Sequence, residues 1–261
     1  FDTIPFIVAT GGLVVVVIEL ITRRGLAIGI GSVFGILGVF LAMRYEAGTG
    51  QDTMTPLVAV LRSNYWLTTH VITVTLGYMG ALLAAAISHV YLIGRLTGLD
   101  GGDRSLRRSL TRMTYGVVGF ALPFSMIGTI LGGVWANDSW GRFWGWDPKE
   151  NGALMIVLMN LIILHARIGG LVKEFGVHIL AVLGAIVVGF SWWGVNMLGV
   201  GLHSYGFTDG ASTLYLFYLI ETGVIVFSLL GFWISNSQAK ARKRANAAGA
   251  ELRAPLDDSD S

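Results

Sequence analysis

The chain has 261 residues, 54% of them hydrophobic and only 13% charged, with a mean hydropathy of +0.67; an ordinary soluble domain carries roughly a quarter charged residues, so that class is excluded. There is no Cys, which excludes a disulfide scaffold, a Cys-ligated zinc or iron–sulfur site and a cysteine nucleophile, so any thiol chemistry must use another molecule's thiols. The formal charge of +2, from 18 basic and 16 acidic side chains, is too balanced for a nucleic-acid binder.

The first residue is Phe1, which implies that the natural start is missing. A spanning helix needs about 20 mostly apolar residues, and seven stretches qualify: 4 to 22, 26 to 43, 66 to 93, 114 to 134, 149 to 166, 177 to 198 and 212 to 235. The expected fold is therefore all-α, a polytopic membrane protein with about seven transmembrane helices occupying residues 1–236. The short joint Thr22-Arg23-Arg24-Gly25 makes the first two helices antiparallel neighbours. The third stretch exceeds the hydrocarbon thickness and should protrude by about two turns, carrying His70 after Tyr65-Trp66 at one end and His89 toward the other. Glu19 and Glu221 are acids within spans and each needs a partner or a watery cavity. His178, opening the sixth span, reads as an interfacial residue.

Fourteen of the 18 basic residues fall in one set of inter-span segments, while Arg44, Arg62, Arg142 and Lys149 fall in the other. By the positive-inside rule the first set is cytoplasmic, so the N-terminus lies outside and the C-terminus inside. Residues 237–261 are basic, then Ala-rich, then end in Asp257, Asp258 and Asp260, the pattern of a disordered cytoplasmic tail. No internal repeat and no secretory signal is visible.

The outward segment between the fourth and fifth spans holds four of the eight Trp: Trp135, Trp140, Trp144 and Trp146. An interfacial aromatic belt would also use Trp, but belts scatter over helix ends rather than filling one loop. A platform for a flat apolar ligand fits better. A short interfacial helix here would put Trp140, Phe143 and Trp144 on one face. Asp147, Pro148 and Glu150 form an N-cap, N1 and N3 pattern that starts the fifth span. The same helix start could receive an anion, such as a carboxylate of that ligand. His70 and His203, the latter among glycines in Gly199-Val-Gly-Leu-His203, flank this loop in sequence on the outward side. Two imidazoles, four indoles and no thiol suggest haem held by two axial histidines beside an aromatic shelf, although spacing alone does not show that the rings converge.

These residues resemble the cytochrome c biogenesis proteins of the CcsA (ResC) type, in the haem-handling superfamily with a Trp-rich outward WWD loop that serves System II assembly. The matching pieces are Ser63-Asn64-Tyr65-Trp66 through His70, the run from Val134 to Gly152, and Gly194-Val195-Asn196 through His203-Ser204-Tyr205-Gly206, and the likeness extends over about residues 55 to 235. The related CcmC branch has Arg-Leu-Thr after the loop Asp, where this chain has Pro148-Lys149-Glu150. The resemblance implies that haem b is the bound ligand, with His70 and His203 as outer axial ligands and Trp135, Trp140, Trp144, Trp146 and Asp147 as its cradle. It also implies that His165 ligates haem nearer the cytoplasm with a histidine on a CcsB (ResB)-like partner; a pairing of His165 with His89 at equal depth is the alternative raised by the sequence itself. Two thiols of a Cys-x-x-Cys-His apocytochrome c would add to the haem vinyl groups, supported by an outward-facing thiol reductant, so the chain would form part of a holocytochrome c synthase. The rival is a conduit that passes haem to a separate chaperone without attachment, and a third reading is a membrane subunit whose Trp loop is an anchor. The implied location is a bacterial inner membrane, or a thylakoid membrane.

Overall fold

The computed structural model describes residues 3–49, 65–203 and 211–251, and every regular element among them is helical. The elements are α1 (Thr3–Thr22), α2 (Leu26–Thr49), α3 (Tyr65–Thr97), α4 (Arg104–Trp140), α5 (Pro148–Ile168), α6 (Glu174–Trp192), a 3-10 helix (Gly194–Leu198) and α7 (Ala211–Glu251). Seven of these are long and apolar enough to cross a membrane. Ser63, Asn64, Ser204, Tyr205 and Gly206 lie outside the described residues.

The α1–α2 hairpin closes as its short joint requires. Glu19 supplies the start of α2, accepting the Gly25 N–H at 2.6 Å and the Ala27 N–H at 3.2 Å. Its carboxylate is thus the partner for two donors that a helix N-terminus leaves unpaired.

α3 is the centre of the bundle, packed against α4, α6, α1 and α7, with α5 seated on α6 and α4. Small residues set the α3–α4 distance. A Cβ at Gly80 would stand 2.9 Å from the Ala121 Cβ, and one at Gly128 would stand 2.6 Å from the Val74 Cα. Close backbone approach through small residues is how helices associate without a hydrophobic drive between them. The core on this seam includes Met79, Leu83, Ile87, Val117 and Val118.

α4 is 37 residues long, about 55 Å at 1.5 Å per residue, against a hydrocarbon slab of about 30 Å. The helix is therefore longer than the apolar layer is thick. The start of α3, the end of α4, the start of α5 and the end of α6 meet at one end of the bundle.

Within the helical frame itself two segments differ from expectation. Residues 237–251, the first part of the segment 237–261 expected as a disordered tail, continue α7 as helix to Glu251, because Ala, Lys and Arg are strong helix formers and extending an existing helix avoids the cost of nucleation. His178, read as interfacial, is fully buried. Its Nε2 lies 3.0 Å from Thr111 Oγ1, its Nδ1 2.9 Å from Ser88 Oγ, and its ring stacks on Tyr91 at 3.8 Å. Satisfied at both nitrogens, the imidazole meets the condition for burying a polar group.

Candidate functional site at the Trp-rich end

α4 does not stop at the boundary of the apolar run but continues to Trp140, where Gly141 in the left-handed region (φ 71°) ends it and donates its N–H to Asn137 O. No interfacial helix follows: residues 141–147 are irregular. Trp140, Phe143 and Trp144 consequently do not share a face. Trp140 stays on α4, Phe143 folds back so that a Cβ at Gly133 would meet its ring at 2.6 Å, and Trp144 turns edge-on to Trp146 at 5.9 Å. Trp146 is 69% exposed and holds a positive φ of 58°, a conformation that stores strain of order 1–3 kcal/mol in a non-glycine residue. Its carbonyl accepts from Asn151 Nδ2 at 3.0 Å.

The expected capping box is present. Asp147 Oδ1 accepts the Lys149 N–H at 2.9 Å, and Glu150 Oε2 accepts the N–H groups of Gly145 at 2.8 Å and Asp147 at 3.0 Å. Asp147 thus caps the first turn of α5, and Glu150 holds the backbone that leads into it. A ligand's carboxylate at this helix start would share it with these two groups.

Asp147 has a second task that its sequence position did not show. Its Oδ2 accepts the Leu202 N–H at 2.6 Å, and its Oδ1 lies 3.1 Å from His203 Nδ1, some fifty-six positions away. Gly201 makes this approach possible: at φ +90° it brings the backbone so near that a Cβ would collide with the Asp147 carboxylate. Burial by itself raises the Asp147 carboxyl, but the Lys149 N–H, the His203 ring and the Leu202 N–H outweigh it and hold the group below the usual carboxylate range. Burial pushes the His203 imidazole below its ordinary value, against the pull of Asp147. A neutral His203 beside an ionised Asp147 donates from Nδ1, which makes Nε2 the nitrogen with the metal-binding lone pair.

His70 is oriented in a parallel way. Its Nδ1 lies 2.7 Å from Gly128 O, and a carbonyl only accepts, so Nδ1 carries the proton and Nε2 the lone pair. The ring fits because residue 132 is Gly: a Cβ there would stand 2.6 Å from His70 Cε1.

Both imidazoles meet at Trp135. This indole is almost parallel to His70 (8°, centroids 6.4 Å), lies 6.1 Å from His203, and makes an edge contact with Trp140 at 4.6 Å. Trp140 in turn stands edge-on to His203 at 4.9 Å. Trp135 is 1% exposed, and its Nε1 is buried without a hydrogen-bond partner. A donor left in that state costs about 1–3 kcal/mol, and a ligand acceptor would recover it. His70, Trp135, Trp140, Asp147 and His203 therefore form one cluster, with Trp144 and Trp146 paired on its outer side.

His165 is apart from this cluster. It lies in the last turn of α5, exposed, with Nδ1 2.8 Å from Leu161 O. His89 does not pair with it: Nδ1 of His89 faces Ala85 O at 2.8 Å and Nε2 faces Glu221 Oε2 at 3.1 Å. The sequence reading missed this contact, although Glu221 was marked as needing a partner. Among the described residues no group of three or more His, Asp or Glu is arranged to hold a bare metal ion; a metal already held in a planar macrocycle needs only two axial donors.

The sequence matches the model of the family described as cytochrome C assembly protein over residues 2–203. Similar curated proteins are each named cytochrome c biogenesis protein CcsA. That of Chlamydomonas reinhardtii is 38% identical over 58% of this chain and 43% of its own length. That of Guillardia theta is 33% identical over 69% and 67%, and that of Microcystis aeruginosa 32% identical over 77% and 76%. The chain thus spans less than half of the first of these relatives and about two thirds to three quarters of the others. With the family model covering most of the chain, it belongs to the cytochrome c assembly protein family, in its CcsA-type branch.

Proposed function

We propose that this chain acts in cytochrome c biogenesis by binding haem b as cargo between His70 and His203 and presenting it for covalent attachment to apocytochrome c. The observation that carries this reading is the convergence of two imidazoles on one buried indole, each with Nδ1 turned to an acceptor, Gly128 O or Asp147 Oδ1. That arrangement leaves the proton on Nδ1 and fixes Nε2 as donor to an axial metal. The aromatic walls of Trp135, Trp140, Trp144 and Trp146 suit a flat macrocycle, and the unpartnered Nε1 of Trp135 suits a polar edge on it.

The chemistry follows from what the chain lacks and what it offers. With no Cys of its own, it supplies position: two axial ligands and an aromatic wall fix the ligand, which converts attack by a second molecule into a near-unimolecular step. Each thiol of a Cys-x-x-Cys-His segment adds S–H across one vinyl C=C, sulfur to one carbon and hydrogen to the other, with no net redox change. The client's histidine then displaces one of the two imidazoles and the product leaves. A thiol reductant on the same side keeps the client's cysteines reduced.

In this reading the Trp-rich end faces away from the cytoplasm, with the basic segments inside, in a bacterial inner membrane or a thylakoid. His165, exposed at the opposite end of α5, serves an inner haem position whose other ligand comes from a CcsB (ResB)-like partner. Co-expression with a Cys-x-x-Cys-His apocytochrome tests the proposal: haem-dependent peroxidase stain that survives denaturation is expected, and its persistence in His70→Ala and His203→Ala variants would overturn it. Covalent haem absent while haem still reaches a separate carrier would favour a conduit instead.

A further inference from the structure

The first turn of α5 carries a cation, although the helix dipole there disfavours positive charge. Lys149 nevertheless folds inward: its Nζ donates to Trp192 O at 2.8 Å and to Asn196 Oδ1 at 3.2 Å. Trp192 ends α6, where carbonyls lack helical partners, and Asn196 sits in the 3-10 helix that leads into Gly199–His203. The ammonium therefore ties the start of α5 to the end of α6 and to the root of the segment that bears His203. The tip of that segment is tied to the same turn of α5 through Asp147, which accepts from Leu202 N and His203 Nδ1. Both fastenings start within three residues, Asp147 to Lys149.

We propose that Lys149 and Asp147 are positioning residues that clamp the His203 segment at root and tip, so that Nε2 of His203 stands in place before the flat ligand arrives. The role as a clamp rests on the proposed use of His203 as an axial ligand. Lys149 is not an anion seat for the ligand: two of its three N–H groups are spent on Trp192 O and Asn196 Oδ1, which turn it toward the end of α6 and the 3-10 helix. Asp147 spends both oxygens on the chain itself, Oδ1 on Lys149 N and His203 Nδ1 and Oδ2 on Leu202 N. Losing such an outer partner of a metal-binding histidine lowers affinity by about 10–100-fold.

The test uses the full chain in membranes with its partner, as wild type and as Lys149→Met, Lys149→Arg, Asp147→Asn and His203→Ala. Hydrogen exchange on haem-depleted protein should be at least about tenfold faster over residues 196–203 in Lys149→Met and Asp147→Asn, with α3 and α4 unchanged. Haem titration should give about 10–100-fold weaker binding in the same two variants, with partial recovery in Lys149→Arg. Asp147→Asn should also raise the haem midpoint potential, because the carboxylate strengthens the imidazole as a donor to ferric iron. Unchanged exchange over 196–203 in both variants overturns the clamp whatever haem does. Exchange that rises while wild-type and His203→Ala bind haem equally overturns the axial role of His203 and leaves only a structural staple.

Discussion

Two regions of the bundle, the packed core around His178 and the Trp-rich end, use histidine differently. Away from the Trp-rich end His178 spends both ring nitrogens on Thr111 and Ser88 and stacks on Tyr91, and His89 faces Ala85 O with Nδ1 while its Nε2 stands 3.1 Å from Glu221 Oε2. At the Trp-rich end His70 and His203 turn Nδ1 to a carbonyl and a carboxylate, the arrangement that orients an imidazole for metal binding through Nε2. Burial is therefore a poor guide to role here: His178 is the most buried imidazole and serves the core.

That contrast is open to several breaks. The largest expected effect is on His178→Ala, which removes the ring that Tyr91 stacks on, leaves a cavity beside Ser88 and Thr111 and should destabilise the chain by about 3 kcal/mol. Thermal unfolding in detergent would show it, and the haem spectrum of the surviving folded fraction should match wild type. Gly132→Leu works the other way: the added side chain evicts the His70 ring from α4, so haem affinity should fall by about tenfold or more with little change in thermal stability. A pronounced unfolding without loss of affinity per folded chain would show that Gly132 serves packing alone.

Smaller again is the His89–Glu221 pair across α3 and α7. A double-mutant cycle with His89→Ala and Glu221→Ala should return a coupling of about 1 kcal/mol or less, the scale of polar contacts inside membranes, and should leave haem binding untouched. The smallest effect belongs to Asp100, whose carboxyl is held below its usual range chiefly by the Arg107 guanidinium 2.5 Å away. Its folded value is depressed, so the stabilisation is present at neutral pH and fades as pH falls below about 4. Asp100→Asn should erase that increment, a few tenths of a kcal/mol for a pair at a surface loop, seen as a flatter acid limb of the unfolding midpoint.

The seven spans were legible because a membrane demands long apolar runs and this sequence supplies them with few charges between. The Asp147–Pro148–Glu150 cap was legible for a similar reason: its partners are three residues apart. His203 on Asp147 was not, because the contact joins residues 56 positions apart through a left-handed Gly201 that only the folded loop defines. The buried setting of His178 was hidden by its place next to a basic boundary, where an imidazole more often meets water. Continuation of α4 to Trp140 overrode the expected interfacial helix, since periodicity shows which residues share a face only after the helix containing them is known. The pairing of His89 with Glu221 was half legible: an acid within a span announces that it needs a partner without naming it.

The most direct measurement is a reduced-minus-oxidised absorption spectrum of the chain purified with its partner, beside His70→Ala, His203→Ala and His165→Ala, with pyridine extraction to count haem. The account predicts sharp bis-imidazole bands that weaken in the His70 and His203 variants, while His165→Ala alters a separate population. Haem bands of equal height and shape in wild type, His70→Ala and His203→Ala, or no haem in any preparation, would contradict it.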